Sequence, residues 1–84
     1  MSMELSILPQ VTKEEHSIVH MQVTMCHYLI NRWGISPHKF VELDKQYSIL
    51  HLIREGYYPF HLTGDEGIAE EIESFVIEQG GTWK

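Results

Sequence analysis

Apolar residues recur along this chain in steps of three and four, and the steps break at a few glycine, proline and serine positions. The longest run goes from Lys13 to Trp33. There Ile18, Cys26, Leu29 and Trp33 line one side of a helical projection, and Val19, Met21, Met25 and Ile30 widen it. So broad an apolar surface predicts a central helix touched from more than one side. Thr12 and Glu15 have the spacing of a capping box at its start, and Gly34 is placed to end it.

Ser36 followed by Pro37 pairs a cap residue with a proline at the first helical position. A second helix is predicted from there to about Lys45, burying Phe40, Val41 and Leu43. Tyr47-Ser48 breaks it. Ser48 is the expected cap of a short third helix, Ile49 to Glu55, whose apolar residues are Leu50, Leu52 and Ile53, and Gly56 stops it.

The last third of the chain carries the strongest pattern. In Tyr57-Tyr58-Pro59-Phe60-His61-Leu62, Pro59 lacks a backbone donor and disfavours the α conformation at Tyr58. That predicts an extended or turn-like piece, with a short strand near residues 57–62. Thr63 and Glu66 repeat the capping-box spacing, and Asp65 and Glu66 put negative charge in a first turn, where the helix dipole favours it. Ile68, Ile72, Phe75, Val76 and Gln79 then form one stripe, opposite Glu70, Glu71, Glu73, Ser74 and Glu78, and Gly80 is the expected left-handed stop. The pattern predicts an all-α fold: a small bundle of four helices in one domain over residues 1–84, with residues 1–11 as a tail or edge segment.

Composition narrows the classes. The 84 residues, 43% of them hydrophobic, suit one globular domain with a modest core. One cysteine excludes an intrachain disulfide and a cysteine-based zinc site, which fits a reducing cytoplasm. The N-terminal ten residues lack the basic and apolar regions of a signal peptide, and no stretch reaches membrane-spanning length. A net charge of −6 opposes a nucleic-acid partner, which needs clustered lysine and arginine. The asymmetry is sharper than the total, because no lysine or arginine occurs between Gly56 and Trp83.

Six histidines invite a metal reading. His16, His20 and His27 fall within about 40° on a helical projection, and His16 and His20 have the spacing that lets two imidazoles share a metal. Their face lies opposite the Ile18–Leu29 stripe and no H-E-x-x-H pattern accompanies them, so a solvated polar face is the preferred reading. His61, between Phe60 and Leu62 just ahead of a helix start, reads as a half-buried residue fixing a turn; a catalytic use would need an acid beside it in a pocket. Cys26, on the apolar side of its helix, reads as an inert thiol. The second and third helices also admit a helix-turn-helix reading, in which the recognition helix would offer only His51 and Arg54 as polar donors. No motif calls for a cofactor.

The positions Phe40, Leu43, Tyr47, Tyr57, Phe60-His61, Gly64, Ile68, Ile72, Phe75 and Gly80 together resemble family 3791 of the domains of unknown function, short bacterial proteins of about this length. The likeness spans roughly His16 to Gly80, and its most specific part is Tyr57 to Gly64. Phe60 stands where the family usually has leucine, Leu62 where it usually has threonine, and Pro59 is unusual. Family genes often lie beside larger proteins resembling ADP-ribosyltransferase toxins, so the resemblance implies an antitoxin or accessory partner. The expectation is therefore a non-enzymatic cytoplasmic protein-interaction module. Tyr57, Tyr58, His61, Glu70, Glu71 and Glu73 are its candidate partner-binding residues, with His16 and His20 as weak metal candidates. A homodimer is compatible with the same surface. The alternatives are a DNA-binding regulator and a small enzyme or metal protein using His61 or the His16/His20 pair.

Overall fold

A computed structural model describes residues 12–84, and the tail or edge segment expected for residues 1–11 lies outside the described residues. The described chain forms five helices: α1 (Lys13–Trp33), α2 (Pro37–Tyr47), α3 (Ile49–Glu55), α4 (Tyr57–Phe60) and α5 (Asp65–Glu78). The all-α expectation holds, and there is no strand among the described residues.

Helix α1 is central, packing against α2, α3 and α5. Its cap is half of what the spacing implied. Thr12 Oγ1 accepts from the Glu15 N–H at 3.0 Å, but the Glu15 carboxylate turns away to Arg54, whose Nη1 donates to it at 2.8 Å. At the far end Gly34 adopts φ 64°, and the N–H of Ile35 returns to the Ile30 carbonyl at 3.1 Å, closing the helix end.

The core is built from two or three residues of each longer helix. Met25 and Leu29 of α1 meet Phe40 and Leu43 of α2, Ile49 and Ile53 of α3, and Ile68, Ala69 and Ile72 of α5, all buried. Each such aliphatic side chain contributes about 1.5–3 kcal/mol by leaving water. Val41, expected inside, is 48% exposed, while Ala69 and Ile49, outside the predicted stripes, are fully buried. The tail after α5 joins this core. Gly80 at φ 80° turns the chain back, Gly81 lies against Tyr47, and Trp83 stacks on Trp33 with ring centroids 5.3 Å apart.

Three local expectations are corrected. Ser48 does not cap α3 with its side chain. It sits in the left-handed region at φ 55°, and Asp44 Oδ1, from the end of α2, accepts from the Leu50 N–H at 2.8 Å instead. Tyr57–Phe60 is a helical turn, not a strand. Pro59 is the third residue of that helix, where its missing N–H would have had no intrahelical acceptor, so its cost there is small. Thr63 is not the α5 cap, because its hydroxyl donates to the Pro59 carbonyl at 3.0 Å. Gly64 takes the cap position without a side-chain bond, and α5 begins at Asp65.

Candidate functional site

The corner formed by α4 and the start of α5 is held by short-range bonds. The N–H groups of Phe60 and His61 reach the carbonyls of Gly56 and Tyr57 at 2.8 Å, and that of Thr63 reaches Phe60 at 2.9 Å. The Phe60 ring folds over Gly56 so closely that a Cβ there would lie 2.6 Å from it. Two side-chain links tie the neighbourhood to the first turn of α1: the Tyr58 hydroxyl donates to Glu14, and Arg54 donates to Glu15. The carboxylate of Glu14 holds the Tyr58 phenol above its ordinary range, and the Arg54 bond holds Glu15 below the usual carboxylate range.

Between this corner and the first half of α1 runs an open groove of about 1020 Å³. Val19, Met21 and Phe60 supply its accessible apolar surface, above the buried Met25 and Ile68; His16, His20, Thr63 and Asp65 are exposed groups along it. Tyr57 and His61 complete the α4 side, their rings stacked at 5.3 Å. His61 is exposed, and its neighbour Leu62 is 83% exposed, so this histidine does not sit half buried in a turn as expected. The short-range backbone bonds hold the turn, and the imidazole is left open to the groove.

The fold thus brings together residues that the sequence treated separately. His16 and His20, read as a solvated pair facing away from the core, share one groove with His61 and Asp65. Among the described residues, however, no three histidine, cysteine, aspartate or glutamate side chains converge in a way that could hold a metal ion. Cys26 is half-buried, and desolvation, with the Asp44 charge adding to it, pushes its thiol upward and away from the reactive thiolate form.

The acidic face of α5 divides in two. Glu70 and Glu71 are exposed. Glu73 is not a free surface acid. Its carboxylate accepts from Arg32 Nε at 2.8 Å, from Arg32 Nη2 at 3.2 Å and from Trp33 Nε1 at 2.7 Å. The Arg32 bond, which outweighs partial desolvation and is helped by Trp33, lowers its affinity for a proton. Glu73 is therefore a fastener between α5 and the end of α1, and of the three glutamates named as partner-binding candidates it is the one bonded within the chain. Sequence reasoning missed this because Arg32 and Trp33 lie some forty positions away.

The two donors of the would-be recognition helix are also engaged. Arg54 pairs with Glu15 at 2.8 Å, and His51 lies 3.4 Å from Glu55. No described helix is long and apolar enough to cross a membrane. No family model, curated protein or solved structure matches the chain.

Proposed function

We infer that the protein is a non-enzymatic interaction module whose partner presents a basic surface. The observation that carries this reading is the contrast among its acids. Glu15 and Glu73 are paired with arginines, and Glu42 and Glu55 lie near histidines, whereas Glu70 and Glu71 are exposed on α5 with no ion-pair partner among the described residues. Glu70 also lies one helical turn from the exposed Glu66; like charges four residues apart oppose helix formation by a few tenths of a kcal/mol, and a basic partner would relieve that repulsion. Tyr57, Tyr58 and His61, at the neighbouring corner, are proposed to extend the surface. On the resemblance to family 3791, the partner is proposed to be a larger toxin-like protein, with this chain as its antitoxin or accessory subunit in the cytoplasm.

The helix-turn-helix reading is less well supported, because Arg54 and His51 are both turned to carboxylates and the chain carries −6 overall. The test is co-purification of a partner from cells, followed by association kinetics with the parent protein and with Glu70→Gln/Glu71→Gln. Slower association by the double variant, with dissociation nearly unchanged, is expected for a rim charge that steers encounter. Equal association rates would leave the face as a solvated surface only.

A further inference from the structure

We propose that the groove between α1 and the α4–α5 corner is the seat of the chain's own N-terminal segment, residues 3–8, laid back along α1 in extended form. The inference goes beyond the interaction-module reading and does not depend on it. Reach is the first argument. The described chain begins at Thr12, the cap of α1, and the groove opens at His16, one helical turn further on and about 6 Å away. Its lining on α1 continues to Met25, about 14 Å along the helix axis from His16. Six extended residues cover about 20 Å, and residues 9–11 remain for the reversal that brings them alongside α1. Pro9 suits that reversal, because its fixed φ is the one a turn requires. A segment tethered this closely meets the groove at an effective concentration on the order of millimolar, ahead of any dilute free ligand.

The pattern of the segment matches the groove. Met3, Leu5 and Ile7 alternate with Glu4 and Ser6, so an extended backbone gathers the three apolar side chains on one edge. The groove offers that edge Val19, which is 44% exposed, with partly exposed Met21, Tyr57 and Phe60 around it. Met25 and Ile68 beneath are already buried, so what is left to cover is a few side chains, which three alternating residues can match. The charge agrees as well. Glu4 is the one charged residue among residues 1–11. On the other edge of the segment it is left at the rim, where the exposed His16, His20 and His61 stand against one carboxylate, Asp65. An imidazole N–H is a donor, and a carboxylate accepts from it.

The experiment uses the full chain. A nitroxide is attached at Ser6→Cys, on the polar edge, with Cys26→Ala removing the chain's one cysteine. The amide resonances of Val19, Met21 and His61 are expected to broaden, while those of Lys45 and Ile77, outside the groove, persist. Adding Leu5→Ser/Ile7→Ser should restore the broadened signals. A second measurement needs no change of cysteine: carbethoxylation of the histidines, read by mass spectrometry. His16, His20 and His61 should react about tenfold faster in Leu5→Ser/Ile7→Ser than in the parent, whereas the exposed His38 and His51 should react alike in both. Circular dichroism of each variant checks that the helices are kept.

Broadening that is absent, or spread evenly over the molecule, would overturn the proposal and leave the groove to a separate molecule. Equal histidine reactivity in the two proteins would overturn it too. Broadening that survives Leu5→Ser/Ile7→Ser would overturn the apolar edge as what seats the segment. No broadening is expected in a mixture of isotope-labelled unmodified chain with unlabelled nitroxide-bearing chain. Groove signals lost in that mixture would give the groove to the segment of a second copy and overturn the intramolecular seat.

Discussion

Glu73 shows how much one residue's role depends on its neighbours. Its carboxylate satisfies three donors from Arg32 and Trp33, and its side chain is only 16% exposed. Glu73→Ala would leave the Trp33 indole N–H and the Arg32 guanidinium without their acceptor, at a cost of about 1–2 kcal/mol after allowance for Arg32's partial exposure. The expected result is a fall in Tm of several degrees, measured by thermal denaturation, against no fall for Glu70→Ala. The pH dependence has a definite sign. Because Arg32 lowers the folded-state proton affinity of Glu73 below the ordinary 4.5, the stability it supplies is present above that value and is lost as pH falls below it, through the folded-state pKa. Glu15, lowered by its hydrogen bond from Arg54, adds in the same direction. Acid titration of the unfolding free energy should therefore show a decline below about pH 4.5 that is shallower in Glu73→Gln.

At the scale of elements, the α2–α3 junction and the C-terminal tail each make a separable prediction. Ser48 holds φ 55°, a conformation costing a non-glycine residue about 1 kcal/mol, and its side chain caps nothing. Ser48→Gly should stabilise the protein by about 0.5–1 kcal/mol, whereas Asp44→Ala, which removes the acceptor for the Leu50 N–H, should destabilise it by about 1 kcal/mol. Urea denaturation with unchanged slope would measure both. In the tail, a Cβ on Gly81 would fall 1.7 Å from the Tyr47 hydroxyl oxygen and 2.3 Å from its Cζ, so the ring or the tail must move. Gly81→Ala should unseat Trp83 from Trp33 more than it unfolds the bundle. These are the chain's two tryptophans, so loss of their coupled near-ultraviolet circular dichroism, with helical signal retained, is the expected outcome.

For the whole molecule, the asymmetry of charge matters more than any single pair. The described arginines tie helices together, while the exposed acids Glu70 and Glu71 stand on α5 with no ion-pair partner among the described residues. Encounter with a basic partner should then weaken as salt rises, since exposed charges are screened over about 8 Å at physiological ionic strength. The rate of association measured between low and high salt should fall less steeply for Glu70→Gln/Glu71→Gln than for the parent, with the melting curve unchanged or slightly improved. An identical salt slope would count against the acidic face as a steering surface.

The sequence by itself determined what local geometry controls. Periodicity and the breaks at Gly34, Tyr47-Ser48, Gly56 and Gly80 gave the four main helices, because capping, left-handed glycine and helical spacing act within a few residues. Its local errors arose where two nearby groups competed for one bond. Thr63 bonded to Pro59 rather than capping α5, and Asp44 displaced Ser48 as the α3 cap. Pro59 read as a helix breaker, yet a first-turn position has no bond for it to break. Tertiary structure alone decided the candidate site. It removed Glu73 from the acidic face by placing Arg32 and Trp33 beside it, opened His61 to solvent, and set His16 and His20 across a groove from it. The physical reason is distance along the chain: a helix face can be read from spacing, but which faces meet, and which charges they neutralise, depends on how the whole core closes.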